Sequence, residues 1–195
     1  MTEIYLLRHG QTALNSAMAL QGRSDHPLNE TGMAQAAEAG AWFRKQGIRF
    51  DRVYASPLRR AIQTAKAAAG ECSIRVEPRL IEMDYGPYEG ADLTALPPEL
   101  TAFFRDLVHQ RAPAGMEPLD QVVARLGAFL EELRREAPEG TILISTHAIA
   151  MKGALEYLTP DSRGGYWAKH IGNCAVYRTD LENGEYTIPE EVYPD

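Results

Sequence analysis

Several features that would settle the class of this 195-residue chain early are scarce or missing. There are two cysteines, Cys72 and Cys174. They make neither a dense disulfide framework nor a metal-ligand cluster, and read as reduced, mostly buried thiols of an intracellular protein. No segment approaches the roughly 20 consecutive apolar residues of a membrane span. The start, Met1-Thr2-Glu3, has no basic run, and apolar Ile4–Leu7 is too short for a signal-peptide core. Positive charge is in deficit: 20 Lys and Arg against 27 Asp and Glu give a formal net charge of −7. That balance argues against a general nucleic-acid-binding surface, so any anion site must be built locally. No two histidines stand one helical turn apart, as many zinc sites require, and no metal or cofactor is expected. There is no internal repeat. The expectation is a cytoplasmic protein with neither nucleic-acid nor membrane partners, leaving room for a homodimer.

What is present suits one folded domain over 1–195: 45% of the residues are hydrophobic and 24% charged. Ile4–Leu7 reads as a strand buried on both faces, ending in Arg8-His9-Gly10. Asn29 is a candidate N-cap for a helix over 30–46, with Gly47 as its C-terminal stop. A strand at Arg52–Ala55 runs into Ser56-Pro57, which predicts a helix with serine at the N-cap and proline at its first position, continuing to Gly70. A short strand is expected near Ser73–Val76. Residues 84–118 hold five prolines and read as a cap or loop excursion, with a short helix near Glu99–His109. Leu119 to Leu133 keep helical spacing, and Pro138-Glu139-Gly140 should stop that helix. Thr141–Ser145 predicts a second buried strand that delivers Thr146-His147, followed by a helix from Ala148 to Leu158. Ala175–Leu181 and Glu185–Ile188 flank Asn183-Gly184, a hairpin turn pair. Alternating strands and helices predict an α/β fold, a three-layer α/β/α sandwich with a mainly parallel central sheet. Ligand sites in such sheets lie beyond the carboxyl ends of the strands, where both His9 and His147 fall.

At Leu7-Arg8-His9-Gly10-Gln11-Thr12 the chain resembles the histidine phosphatase, or phosphoglycerate mutase-like, superfamily. The likeness continues through Asn15, Gln21-Gly22, Asp25, Pro27-Leu28, Gly32 and Gln35-Ala36. A second block is Ser56-Pro57-Leu58-Arg59-Arg60-Ala61-Ile62-Gln63-Thr64-Ala65, a third Leu80-Ile81-Glu82 with Tyr85-Gly86 and Glu89-Gly90, and a fourth Thr146-His147. The resemblance implies that His9 accepts a phosphoryl group from a phosphate monoester and that water then releases it. A covalent route divides one very slow displacement into two easier ones. Arg8, Arg60 and His147 would bind the phosphoryl oxygens, the guanidiniums in planar, bidentate fashion. Glu82 fits as general acid, then base, with Asp84 and Glu89 near enough to compete. Asn15, Gln21, Gly22 and the backbone of Ala148 complete the expected phosphate or substrate contacts.

The family spacing selects Arg60 for the site and leaves Arg59 exposed. His26, His109 and His170 lack motif support and read as surface or packing residues. Two departures stand out. Ala148 replaces the glycine usual after the second histidine, and would be strained if that position needs positive φ. The run Pro113-Ala114-Gly115-Met116-Glu117-Pro118 stands where many members carry Pro-any-Gly-Glu-Ser. The expected function is metal-independent hydrolysis of a small phosphorylated metabolite. The alternatives are phosphoglycerate mutase-type transfer and a non-catalytic module that binds phosphorylated ligands. Family mutases usually insert a longer segment between the third block and the second histidine, and here that stretch is short.

Overall fold

Strands that are apolar on both faces need a cover on each side, and this chain supplies two helix layers. The computed structural model describes residues 1–136 and 139–194. In chain order the elements are β1 (Thr2–Arg8), α1 (Ala13–Ser16), α2 (Glu30–Lys45), β2 (Arg52–Ala55), α3 (Arg59–Ala69), β3 (Ile74–Val76), α4 (Pro98–Arg105), α5 (Leu119–Glu136), β4 (Gly140–Thr146), α6 (Ala148–Leu158), β5 (Val176–Glu182), β6 (Glu185–Tyr186) and β7 (Glu190–Tyr193). Side chains of β1 alternate between the layers. Ile4 and Leu6 join the apolar cluster of α5 and α6, while Tyr5 and Leu7 join that of α2 and α3.

The sheet order is β3-β2-β4-β1-β5-β6, with β7 also paired to β5. β3, β2, β4 and β1 are mutually parallel, and β5 reverses against β1 to open an antiparallel edge. The sheet is therefore mixed, with the parallel half carrying the strand ends that matter. Register sets those ends level: Arg8 pairs with Thr146, and Ala55 with Ser145. His9, His147 and Ser56 emerge together at one edge.

The Asn29 side chain accepts from the Gly32 N–H at 2.8 Å and caps α2 as expected. Asn183 and Gly184 both take positive φ, 52° and 82°, as the predicted hairpin turn demands. Three details differ from the sequence reading. The helix after β2 begins at Arg59, and its N-cap Leu58 offers no side chain; the Arg59 N–H is taken by the Asp25 carboxylate at 2.7 Å. The Ser56 hydroxyl is engaged elsewhere, so local capping lost to a tertiary contact. The second hairpin arm is only Glu185–Tyr186, and Glu190–Tyr193 returns as a further strand on β5. The short cap helix spans Pro98–Arg105 and stops before His109. Pro138, expected to stop α5, lies outside the described residues. Within 84–118, Leu100, Phe103, Leu107 and Met116 are buried in the same cluster as α5 and α6.

Gly32 sits where the loop after β1 crosses the start of α2. A Cβ there would land on the Gln11 carbonyl oxygen, and one at Gly10 would strike the Gly32 carbonyl. Backbone faces backbone, so neither side can yield cheaply. Gly32→Ala is expected to destabilise the protein by about 1–3 kcal/mol, as overpacking does. Urea denaturation with an unchanged midpoint would contradict this close approach.

Candidate active site

His9 follows β1 directly, and its backbone N–H donates to the Thr146 carbonyl at 3.0 Å, tying it to the end of β4. The ring is buried, 3% exposed. Its Nδ1 lies 2.7 Å from the Gly10 carbonyl oxygen. A carbonyl can only accept, so Nδ1 carries the proton and Nε2 keeps its lone pair. Burial, then the Arg8 and Arg60 charges, push the His9 pKa well below the usual imidazole value, against a smaller opposing pull from Gly10. The ring is thus neutral and nucleophilic at Nε2.

His147 follows β4 as the N-cap of α6, and its ring centroid is 5.1 Å from that of His9. Arg60, in the first turn of α3, is completely buried. Its Nη1 donates to the Ser24 carbonyl at 2.8 Å and its Nη2 to the Gly22 carbonyl at 2.6 Å, while Nε donates to His147 Nδ1 at 3.2 Å. Arg59, by contrast, pairs with Asp25 at the surface. Arg8 Nη1 donates to the Ile171 carbonyl. Arg8 Nε is buried with no hydrogen-bond partner, a donor that an anionic oxygen would satisfy.

Glu82 is 3% exposed and meets the N-terminus of α6. Oε1 accepts from the Met83 and Ala150 N–H groups, each at 2.9 Å, and Oε2 from Ile149 N–H at 3.2 Å. The segment carrying it is pinned twice. Thr146 Oγ1 donates to the Leu80 carbonyl at 2.7 Å, and Arg125 Nη1 reaches the Arg79 and Ile81 carbonyls, both at 2.6 Å. Arg125 in turn pairs with Glu117, which also accepts from Asp84 N–H at 3.1 Å. Of the two competitors for the carboxylate role, Asp84 pairs with Arg23 near the surface and Glu89 holds Gly22 and Ser24.

The remaining expected residues have visible structural work. Asn15 Oδ1 accepts from Thr12 N–H at 3.1 Å, closing a capping box on α1. Gln21 Oε1 takes the Thr12 hydroxyl at 2.7 Å, and its Nε2 is buried without a partner. Gly22 gives its N–H to Glu89 and its carbonyl to Arg60, so it braces the guanidinium. Ala148 opens α6 and is not among the residues with positive φ, so alanine is unstrained there. Among the described residues no group of three or more His, Cys, Asp or Glu could hold a metal ion, and no helix is long and apolar enough to cross a membrane.

Sequence reasoning missed the second tasks of Ser56 and Arg125. Ser56 looked like a helix cap, and Arg125 was one more charge on an amphipathic helix; nothing local distinguishes it. Cys174, in the left-handed region at φ 58°, gives its N–H to the Arg8 carbonyl at 3.1 Å, and burial pushes its thiol up to about 12.

The two buried, neutral imidazoles predict a pH dependence. Unfolding frees both to bind protons near the ordinary value of about 6.5, while the folded state resists until its depressed values. Their contribution is fully present above about pH 6.5 and is lost as pH falls toward those lower values, at up to roughly 1.4 kcal/mol per pH unit per histidine. Urea titrations between pH 7 and 5 should show this slope in the wild type and a shallower one in His147→Asn.

Against known proteins, the family described as histidine phosphatase superfamily (branch 1) matches residues 4–191. A protein of Yersinia pestis (strain Pestoides F) named probable phosphoglycerate mutase GpmB is 32% identical over 193 residues, covering 95% of this chain and 88% of that one. A mycobacterial glucosyl-3-phosphoglycerate phosphatase, solved with VO3, superposes with a TM-score of 0.86 at 25% identity, over 99% of both chains. A mutant phosphoserine phosphatase from Entamoeba histolytica, solved with phosphoserine, shares the fold with a TM-score of 0.84 at 24% identity, over 98% of this chain and 96% of that one.

Proposed function

Since the chain belongs to the histidine phosphatase superfamily, branch 1, we propose that it hydrolyses a small phosphate monoester through a phosphohistidine on His9. The observation that carries this reading is the fixed tautomer of His9, with Nδ1 spent on the Gly10 carbonyl and Nε2 bare beside two arginines and His147. In the first step Nε2 attacks phosphorus, the ester P–O bond breaks, and Glu82 as its acid gives the leaving oxygen a proton. In the second step the Glu82 carboxylate takes a proton from water, whose oxygen attacks phosphorus as the P–N bond breaks, releasing inorganic phosphate. Arg8, Arg60 and His147 meet the charge that grows on the phosphoryl oxygens, and Asn15, Gln21 and the Ala148 N–H border the substrate. Metal ions have no part in either step. Near-complete burial of His9 and Glu82 favours a small ester over a phosphorylated protein surface.

Transfer back to a second hydroxyl, as in a phosphoglycerate mutase, is the alternative, favoured by the name of the Yersinia relative. The short stretch between Glu89-Gly90 and His147 speaks for water as acceptor. Purified protein with chelator is expected to release phosphate steadily from p-nitrophenyl phosphate and from members of a phosphorylated-metabolite panel. Interconversion of 2- and 3-phosphoglycerate without phosphate release would replace hydrolysis by mutase action. Binding of these esters with no turnover would reduce the protein to a recognition module.

A further inference from the structure

Both ring nitrogens of His147 are held by side chains. On one edge the Arg60 Nε–H reaches Nδ1 at 3.2 Å. A guanidinium has nothing to accept with, so Nδ1 presents its lone pair and the proton of the neutral ring sits on Nε2. That nitrogen faces Ser56 Oγ at 2.7 Å, and the hydroxyl oxygen accepts. Ser56 cannot drift: it is fully buried, its N–H is bound to the Ser145 carbonyl at 3.0 Å, and its Oγ also receives the Leu58 N–H at 3.4 Å. The strand order settles the side. Ser56 follows β2, His147 follows β4 and His9 follows β1, in the order β2-β4-β1, so the serine flanks His147 on the side away from His9.

We propose that Ser56 is a positioning residue for His147: by accepting from Nε2–H it locks the tautomer whose Nδ1 lone pair takes the Arg60 Nε–H, and so fixes that guanidinium in the site. This rests on the phosphatase reading above. The charged and titratable groups around the ring are Arg60 on α3, Arg8 and His9 at the end of β1, Arg125 on α5, and Glu82 against the start of α6. Burial first, then the cations, hold the resting ring neutral. Arg60 Nη1 and Nη2 are spent on the Ser24 and Gly22 carbonyls, so its Nε–H on Nδ1 is the bond that ties the guanidinium to the end of β4. Without the Ser56 acceptor the ring loses the bond that holds its Nε2–H, and the grip on Arg60 loosens with it.

Two measurements test this. In ligand-free protein with ¹⁵N-labelled histidine, the His147 resonances, assigned through His147→Gln, are expected to report a proton on Nε2 and none on Nδ1; the opposite tautomer overturns the proposal. In kinetics with p-nitrophenyl phosphate, Ser56→Ala is expected to lower kcat about tenfold to a hundredfold, the worth of one such hydrogen bond. KM should move by no more than about threefold, because the two other Arg60 bonds, to Ser24 and Gly22, stay in place. Ser56→Thr, which keeps the hydroxyl, should recover most of the loss. An alanine variant with wild-type kcat overturns the assignment, as does a folded threonine variant as slow as alanine. The tautomer readout needs no turnover, so it stands or falls separately from the phosphohistidine reading.

Discussion

His9→Ala is expected to reduce kcat for any phosphate ester by on the order of 10⁴–10⁶, to the background of the assay, as loss of the nucleophile does in other covalent enzymes. No neighbour can take over. His147 has Nδ1 against Arg60 and Nε2 against Ser56, and its ring is braced away from the position His9 fills. The Cys174 thiol is buried and its pKa raised, which keeps it un-ionised at neutral pH. The arginines that remain would still bind phosphate, so the variant should retain affinity while losing turnover. The check is a pair of experiments: steady-state phosphate release, and acid-labile phosphoryl label trapped by rapid quench at alkaline pH. Residual turnover above about a hundredth of wild type, or label retained on the alanine variant, would remove His9 from the role given to it.

Glu82→Gln should separate the two halves of the reaction. A proton donor matters most when the leaving group is a poor one, so kcat/KM for an alkyl phosphate is expected to fall by about 10²–10⁴. For p-nitrophenyl phosphate, whose phenolate departs unaided, kcat/KM should fall by less than about tenfold, because that ratio reports only the first displacement. Its kcat should still drop, since water then meets the phosphohistidine without a base. Glutamine nearly matches the carboxylate in shape, and one oxygen can still accept from Met83 and Ala150; the amide end then faces the Ile149 N–H, so some loss of stability will accompany the kinetic change. Equal losses in kcat/KM for both esters would rule out the acid role.

The layers, the parallel strands and the strand-end position of both histidines were legible because continuous apolar runs and helical spacing respond to burial alone. The boundary of α3 was not, since Ser56 satisfies a histidine 91 residues away instead of its own helix. Nor was β7: Glu190–Tyr193 is a polar edge segment whose pairing comes from β5, not from its own pattern. Motif letters told more about site membership than about duty. Gln11, Gln35, Gln63 and Thr64 make scaffold hydrogen bonds. They tie the loops around His9 to the helices: Gln11 N–H to Gln35, Leu28 N–H to Gln63, and Gly10 N–H to Thr64. Asn15 and Gly22 likewise look from the sequence like ligand contacts, while their observed bonds hold α1 and Arg60 in shape. Arg125, which fixes the segment bearing Glu82, left no local trace because an arginine on a helix face looks the same whether it binds carbonyls or water.

The strand register has a consequence in time as well as space. Arg60 and Ser56 reach His147 across 87 and 91 residues, so none of the three can meet before β2 and β4 have zipped side by side. Long loops must close before such parallel pairing gains anything, which makes it a slow event in refolding. Catalytic competence should therefore return late, behind the recovery of helical signal, and a burst of early helix without enzyme would mark chains whose central strands are still apart.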